Sequence, residues 1–298
     1  MTGAVAAAER ADETVLVPVD VAALRAWLLA HAVPGVDTVS TGPDGSTAHT
    51  RTVRTAAGPV PLTVVLPATA PPRLQAHGPG AAEAVDVGRS WLGLDLDPEP
   101  AVASLAADPV LGAMVAARPA VRVPGAPDPF EAAVNVVLGQ HVSVAAGRVF
   151  AGRLTAACGT GTLPPGPEAL AGLDPDDLQQ AVGVTGGRAR TVVALARAVA
   201  AGLHLGPEPD PSARAATRAA LLALPGIGPW TADLVALRCL RDPDVFLPGD
   251  LVLRRALGGV TAREAERLAE AWRPHRSLAV VHLWIQHALD PTPLPERG

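Results

Sequence analysis

One carboxylate stands out by its setting. Asp250 follows Pro248-Gly249 in "DVFLPGDLVLRRAL" and opens a helical pattern. An Asp at a helix start accepts hydrogen bonds from the first backbone N–H groups, and that cap also fixes the direction of the carboxylate. Upstream, Leu224-Pro225-Gly226-Ile227-Gly228 joins two apolar helical patterns by a tight turn. Pro225 cannot continue the first helix, and the glycines permit positive φ. Pro229 falls where a missing N–H is tolerated, and Ile227 can plug the corner into the core. Such a turn presents unpaired N–H groups at a helix N-terminus, which bind a phosphate through dipoles and amides. A ligand-free helical corner has the same local pattern, as does a carboxylate that only caps.

All 24 basic side chains are arginine, and neither lysine nor tyrosine occurs. No side-chain amine can form an imine and no phenol can move a proton; the α-amino group is the one exception. The net charge of −5 argues against a global basic field for nucleic acid. Amide-based phosphate binding removes that conflict. Two cysteines, Cys158 and Cys239, cannot build a four-cysteine zinc site or an iron–sulfur cluster. Both sit in apolar helical patterns and read as buried free thiols. His282 and His287 are spaced onto different helix faces, which argues against a shared metal.

The elements that must position the acid and the turn follow from periodicity. With 298 residues and 49% hydrophobic composition, the chain supports two ordinary domains or one large one. No apolar run is long enough for a membrane span, and the start, "MTGAVAAAERADETV", lacks a signal-peptide pattern, so a cytoplasmic protein is expected. Residues 1–12 read as a tail. Asp20 caps a helix with Leu24, Trp27 and Leu28 on one face. "AHTRTVRT" (48–55) and "VPLTVVL" (60–66) alternate at period two around "AAGP" and predict a hairpin. Residues 81–94 return to a helix, so 13–98 form an α+β domain, with Pro98 and Pro100 at its boundary.

From Ala101 only helices are expected, about ten, in a second domain over 99–298. Asp108-Pro109, Asp128-Pro129 and Asp174-Pro175 open three of them. Phe130, Val134, Val137 and Leu138 form a buried stripe that ends at Gly139-Gln140-His141, and Ser143 caps the next helix. Residues 160–167 read as a loop and 186–202 as a helix. Ser212 caps the helix to Leu224, the helix–hairpin–helix covers about 212–240, Thr261-x-x-Glu264 is a capping box, and Ser277 opens the last helix.

"LPGIGPWTADLVALR", together with "FEAAVNVVLGQHVSV", "DVFLPGDLVLRRAL" and "WRPHRSLAVVHLW", resembles the helix–hairpin–helix DNA glycosylases, and among them the 3-methyladenine DNA glycosylase II (AlkA) type. The resemblance is strong over about 100–290 and weaker over 13–98, where that family has a small α+β domain. It implies an enzyme of base excision repair that flips an alkylated purine out of double-stranded DNA and hydrolyses its N-glycosidic bond, with Asp250 as the catalytic acid residue. Bond breakage builds positive charge on the sugar, which a carboxylate near C1′ stabilises.

The family's lyase members carry a lysine in the second hairpin helix. This chain has Trp230 in that stretch, which implies a monofunctional hydrolase. The resemblance further places Trp230 and Trp284 in the base pocket, Leu234 and Leu251 where relatives often hold tyrosine, and Gly226, Ile227 and Gly228 on the DNA backbone. It puts Gln140 and His141 in the minor groove, with His141 as wedge where relatives often have Leu. Arg254, Arg255 and Arg276 are candidates for phosphate contacts. No cofactor is implied beyond a structural Na⁺ or K⁺ on the Leu222, Leu224 and Ile227 carbonyls, and a monomer is expected. Trp91 and Trp272 are expected in the core. Two other readings fit the same residues: a non-catalytic hairpin module for DNA, and a glycosylase for another damaged base.

Overall fold

The computed structural model describes residues 9–289. The amino-terminal region is a five-stranded antiparallel sheet with two helices. Strand β1 (Arg10–Thr14), helix α1 (Val21–His31), β2 (Asp37–Thr41), β3 (Thr47–Thr55), β4 (Gly58–Leu66), β5 (Arg73–His77) and α2 (Ala81–Trp91) follow in chain order, with the sheet ordered β1-β5-β4-β3-β2. The expected β3–β4 hairpin is present, with Val53 opposite Val60 and Thr47 opposite Leu66. Asp20 caps α1 by accepting from Ala23 N at 2.9 Å.

The tail reading over 1–12 is corrected at its end. Residues 10–12 pair with β5, Arg10 opposite His77 and Asp12 opposite Gln75; residues 1–8 lie outside the described residues. Strands β1, β2 and β5 are five residues each and carry many polar side chains, so their period-two signal is weak. Their partners, not their own sequence, make them strands. Leu62, Val64, Leu74, Ala84, Val85 and Trp91 form the core between sheet and α2.

Among the described residues twelve helices follow: α3 (Glu99–Ala106), α4 (Gly112–Ala117), α5 (Pro129–Leu138), α6 (Val144–Cys158), α7 (Pro167–Ala171), α8 (Pro175–Val182), α9 (Gly186–Ala200), α10 (Pro211–Leu222), α11 (Pro229–Arg238), α12 (Leu251–Ala256), α13 (Ala262–Ala269) and α14 (Arg276–Leu289), with a 3₁₀ turn at Glu270–Trp272. Asp128, Asp174 and Ser143 cap α5, α8 and α6 as expected, and the Thr261–Glu264 box is complete. Two starts differ. Asp210, not Ser212, caps α10, because Pro211 takes the first helical position and Asp210 then accepts from Ser212 N at 3.0 Å. Ser277 lies inside α14 and is buried; its hydroxyl accepts from Val245 N at 3.0 Å and donates to Asp242 O at 2.6 Å. Asp108 caps a turn, and α4 becomes regular only at Gly112.

The helices surround two apolar clusters, and α11 stands between them. Ala232, Val235 and Cys239 face one cluster, with Val134, Val137, Leu154, Val192 and Ile227. Ala236, Leu237 and Leu240 face the other, with Leu247, Leu253, Trp272, Val280 and Leu283. The hairpin at the start of α11 therefore sits where the two halves meet. Cys239 and Cys158 are free thiols; Cys239 is buried, which pushes its pKa up to about 12.

A buried ionic clasp joins the sheet to α5. Arg51 donates to Glu131 Oε2 at 2.6 Å and lies 3.6 Å from Asp37, whose other oxygen accepts from Val33 N at 2.6 Å. His49 Nε2 meets Asp37 at 3.0 Å. Burial raises the Glu131 carboxyl above its usual value against the pull of Arg51. For Asp37 burial pushes upward too, but the bond from His49 and the Arg51 charge outweigh it and hold the carboxyl below its usual value. Among the described residues no helix is long and apolar enough to cross a membrane.

Candidate active site

Asp250 is reached by a segment anchored on both sides. Val245, Phe246 and Leu247 are buried, and Phe246 meets Trp272 edge-on with centroids 5.7 Å apart. The chain then turns at Pro248-Gly249, with Asp250 N donating to Leu247 O at 3.0 Å. Leu253, fully buried, pins α12 just beyond. Asp250 Oδ1 accepts from Val252 N at 2.8 Å and from Leu253 N at 3.0 Å. Oδ2 has no hydrogen-bond partner among the described residues. The cap thus consumes one oxygen and leaves the other, on a half-exposed residue, available to something outside the protein.

The hairpin has the predicted form. Gly226 adopts φ 79, and Ile227 is buried in the cluster behind it. Gly228 caps α11 without a side-chain bond, and Pro229 occupies the first turn. Ile227 N donates to Leu224 O at 3.3 Å, but the amides of Gly226, Gly228, Trp230 and Thr231 donate to no group among the described residues. Neutral amides on an exposed helix start are what an anion would meet. Among the described residues the carbonyls of Leu222 and Ile227 accept no main-chain bond, while Leu224 O is partly engaged by Ile227 N. No group of three or more His, Cys, Asp or Glu placed to hold a metal ion occurs among the described residues.

Trp230, Leu234 and Trp284 are partly buried and pack on the same cluster that holds Leu247 and Leu253 on either side of Asp250. One apolar cluster thus joins these three residues to the chain neighbours of the acid. Leu251 is 59% exposed and points away from the core. Trp91 and Trp272 are core residues. Two small cavities are lined elsewhere, one around Val33 and Glu131 and one around Asp20 and Trp27, and neither includes Asp250 or Trp230.

Sequence reasoning missed two participants. Trp27 of α1 stacks on Trp284, centroids 6.0 Å apart at 29°, so the amino-terminal region packs against that ring. Arg238 lies over Trp27 at 4.6 Å, and burial lowers its pKa to about 10. The α1 pattern marked Trp27 as buried, but nothing in local spacing names a ring on the last helix as its partner. Gln140 also does more than expected: its Nε2 donates to Gly226 O at 3.0 Å and to Thr231 Oγ1 at 2.8 Å, tying the α5–α6 break to the hairpin.

His141 is exposed at φ 55, in the turn flanked by exposed Val142 and Val144. The arginines are less available than the sequence suggested. Arg254 donates Nε to Val260 O at 2.8 Å, and Arg276 is held by Asp244 through Nε at 2.7 Å. Arg255 remains exposed.

The fold joins a five-stranded sheet to a helical region with a glycine hairpin and a capping acid downstream of it, and comparison with known proteins places this arrangement in a class. The AlkA N-terminal domain matches residues 14–128, and the HhH-GPD superfamily base excision DNA repair protein matches residues 134–275. A "Probable bifunctional transcriptional activator/DNA repair enzyme AlkA" of Mycobacterium tuberculosis is 42% identical over 70% of this chain. This chain spans only 44% of that relative's length. A "DNA-3-methyladenine glycosylase" of Bacillus subtilis is 30% identical over 65% of this chain and 69% of the relative. Among solved structures, a 3-methyladenine DNA-glycosylase from Archaeoglobus fulgidus superposes with a TM-score of 0.74 over 95% of this chain and 99% of the other, at 16% identity. The chain belongs to the HhH-GPD superfamily of base excision DNA repair proteins, with an AlkA-type amino-terminal domain.

Proposed function

We propose that this protein is a monofunctional DNA glycosylase that removes alkylated purines, of the 3-methyladenine and 7-methylguanine type, from double-stranded DNA. The reading is carried by Asp250: one carboxylate oxygen fixed by the cap, the other unengaged, on the apolar cluster that also supports the hairpin helix. The names of the matched relatives point the same way.

The unengaged hairpin amides of Gly226, Gly228, Trp230 and Thr231 hold a backbone phosphate, which accounts for DNA binding at a net charge of −5. A base inside a duplex is unreachable, so the nucleotide is turned out toward the acid, and His141 occupies the gap. An electron-poor alkylated purine stacks on the partly exposed Trp230 and Trp284 surfaces. As the glycosidic bond breaks, positive charge grows on the sugar and Asp250 Oδ2 stabilises it and orients the attacking water.

An alkylated purine already carries positive charge and leaves without a strong acid, so one carboxylate suffices. Without lysine no side chain can form the imine that strand cleavage needs. The neutral carbonyls of Leu222 and Ile227 suit a monovalent cation, which when bound adds positive charge beside the phosphate.

The test uses DNA treated with a methylating agent. Released bases are quantified, and strand breaks are counted before and after alkali. The expected result is release of methylated purines with breaks only after alkali. Binding without release identifies a non-catalytic DNA module instead, and breaks before alkali contradict the monofunctional assignment.

A further inference from the structure

The break between α5 and α6 holds a strained residue: His141 carries a β-carbon at φ 55. Such backbone persists only where its surroundings determine it. Three holds are visible. Ser143 caps α6 through Ala146 N at 3.2 Å. The Arg188 guanidinium, seated 5.7 Å over the Phe150 ring, donates to Gln140 O. The Gln140 side-chain nitrogen donates to Gly226 O and to Thr231 Oγ1, at 3.0 and 2.8 Å.

The third hold differs from the others because it crosses to the hairpin. Its acceptors lie on either side of the amides at Gly228 and Trp230. Helix α9 backs both parts, with Arg188 on the turn and Thr191 against Gly226. On the outer side His141, Val142 and Val144 are exposed.

We propose that Gln140 is a positioning residue for base extrusion. It locks the His141 turn to the hairpin, so that gripping the phosphate and entering the base stack are motions of one rigid body. Only a primary amide does this here. Two N–H groups on one nitrogen meet two acceptors, whereas glutamate at neutral pH brings no donor and leucine brings none. The proposal rests on the DNA glycosylase reading above but concerns a step that precedes bond cleavage, so it can be tested without it.

Gln140→Glu keeps the side-chain length and removes the donors, and Gln140→Leu removes all hydrogen bonding; Thr231→Val removes one acceptor at nearly constant shape. Each is mixed with a duplex carrying a tetrahydrofuran abasic analogue opposite 2-aminopurine, whose fluorescence reads unstacking. Single-turnover release of 7-methylguanine and affinity for undamaged duplex are measured alongside. Gln140→Leu is expected to lose most of the fluorescence change and about tenfold in release rate, with duplex affinity within about threefold of wild type. Thr231→Val moves in the same direction by less, and carries the test should Gln140→Leu lower the melting temperature.

Combined with His141→Ala, the losses fail to add, because both changes disable one wedge. Wild-type fluorescence in Gln140→Leu and Thr231→Val, or fully additive losses with His141→Ala, overturns the proposal. Absence of base release by wild type sinks the glycosylase reading instead, and leaves the fluorescence comparison intact.

Discussion

Gly226 lies against Thr191 so closely that a β-carbon on it would sit 2.0 Å from Thr191 Oγ1. The backbone there is also left-handed, at φ 79. Both constraints demand glycine, one from packing and one from conformation. Gly226→Ala is expected to cost about 3 kcal/mol of stability, measured by denaturant unfolding.

Gly228 makes the opposite case. It has open space around its α-carbon and ordinary φ of −94. Gly228→Ala is expected to change stability by less than about 1 kcal/mol, yet to weaken duplex binding, since the methyl group stands where a phosphate would approach. Salt titrations of affinity for a short duplex check it; unchanged binding removes Gly228 from the interface.

The clasp between sheet and helices sets a second stability prediction. Arg51 is buried between Asp37 and Glu131. Arg51→Ala leaves two buried carboxylates without their shared cation and is expected to cost about 3–5 kcal/mol. A loss below about 1 kcal/mol in denaturant unfolding contradicts the clasp's assigned role.

Acid sensitivity follows from His282. Its ring is buried with both nitrogens unpartnered among the described residues, and burial lowers its pKa to about 4 from an ordinary 6.5. The unfolded chain therefore binds a proton between these values that the folded chain does not. Stability is full above the unfolded pKa and falls as pH drops from about 6.5 toward 4. By pH 5 this group alone removes about 2 kcal/mol. His282→Leu is expected to fold and to flatten that part of the profile, as read by melting temperature at pH 7 and pH 5.

Much of the site was legible because it rests on local rules. The Pro and Gly positions of residues 225–229 specify the turn by themselves. Asp128, Asp174, Asp250 and the Thr261–Glu264 pair announce helix starts through side chains that bond only a few residues away. What was not legible depends on distant partners. Strand β1 looked like a tail because its five residues alternate only weakly and become a strand by pairing with β5. Trp27 meets Trp284 from the other end of the chain. The Gln140 amide reaches a carbonyl 86 residues away. Arg276 read as a free surface cation, yet Asp244 holds it, an ion pair set by where α14 packs.

The most direct measurement is single-turnover release of 7-methylguanine by Asp250→Asn. Asparagine caps a helix as well as aspartate does, so α12, the melting temperature and duplex affinity should be retained. Release should fall by on the order of 10³-fold, because the charge that stabilises the sugar cation is gone. A folded Asp250→Asn protein that releases base within about threefold of wild type would contradict the role given to this carboxylate.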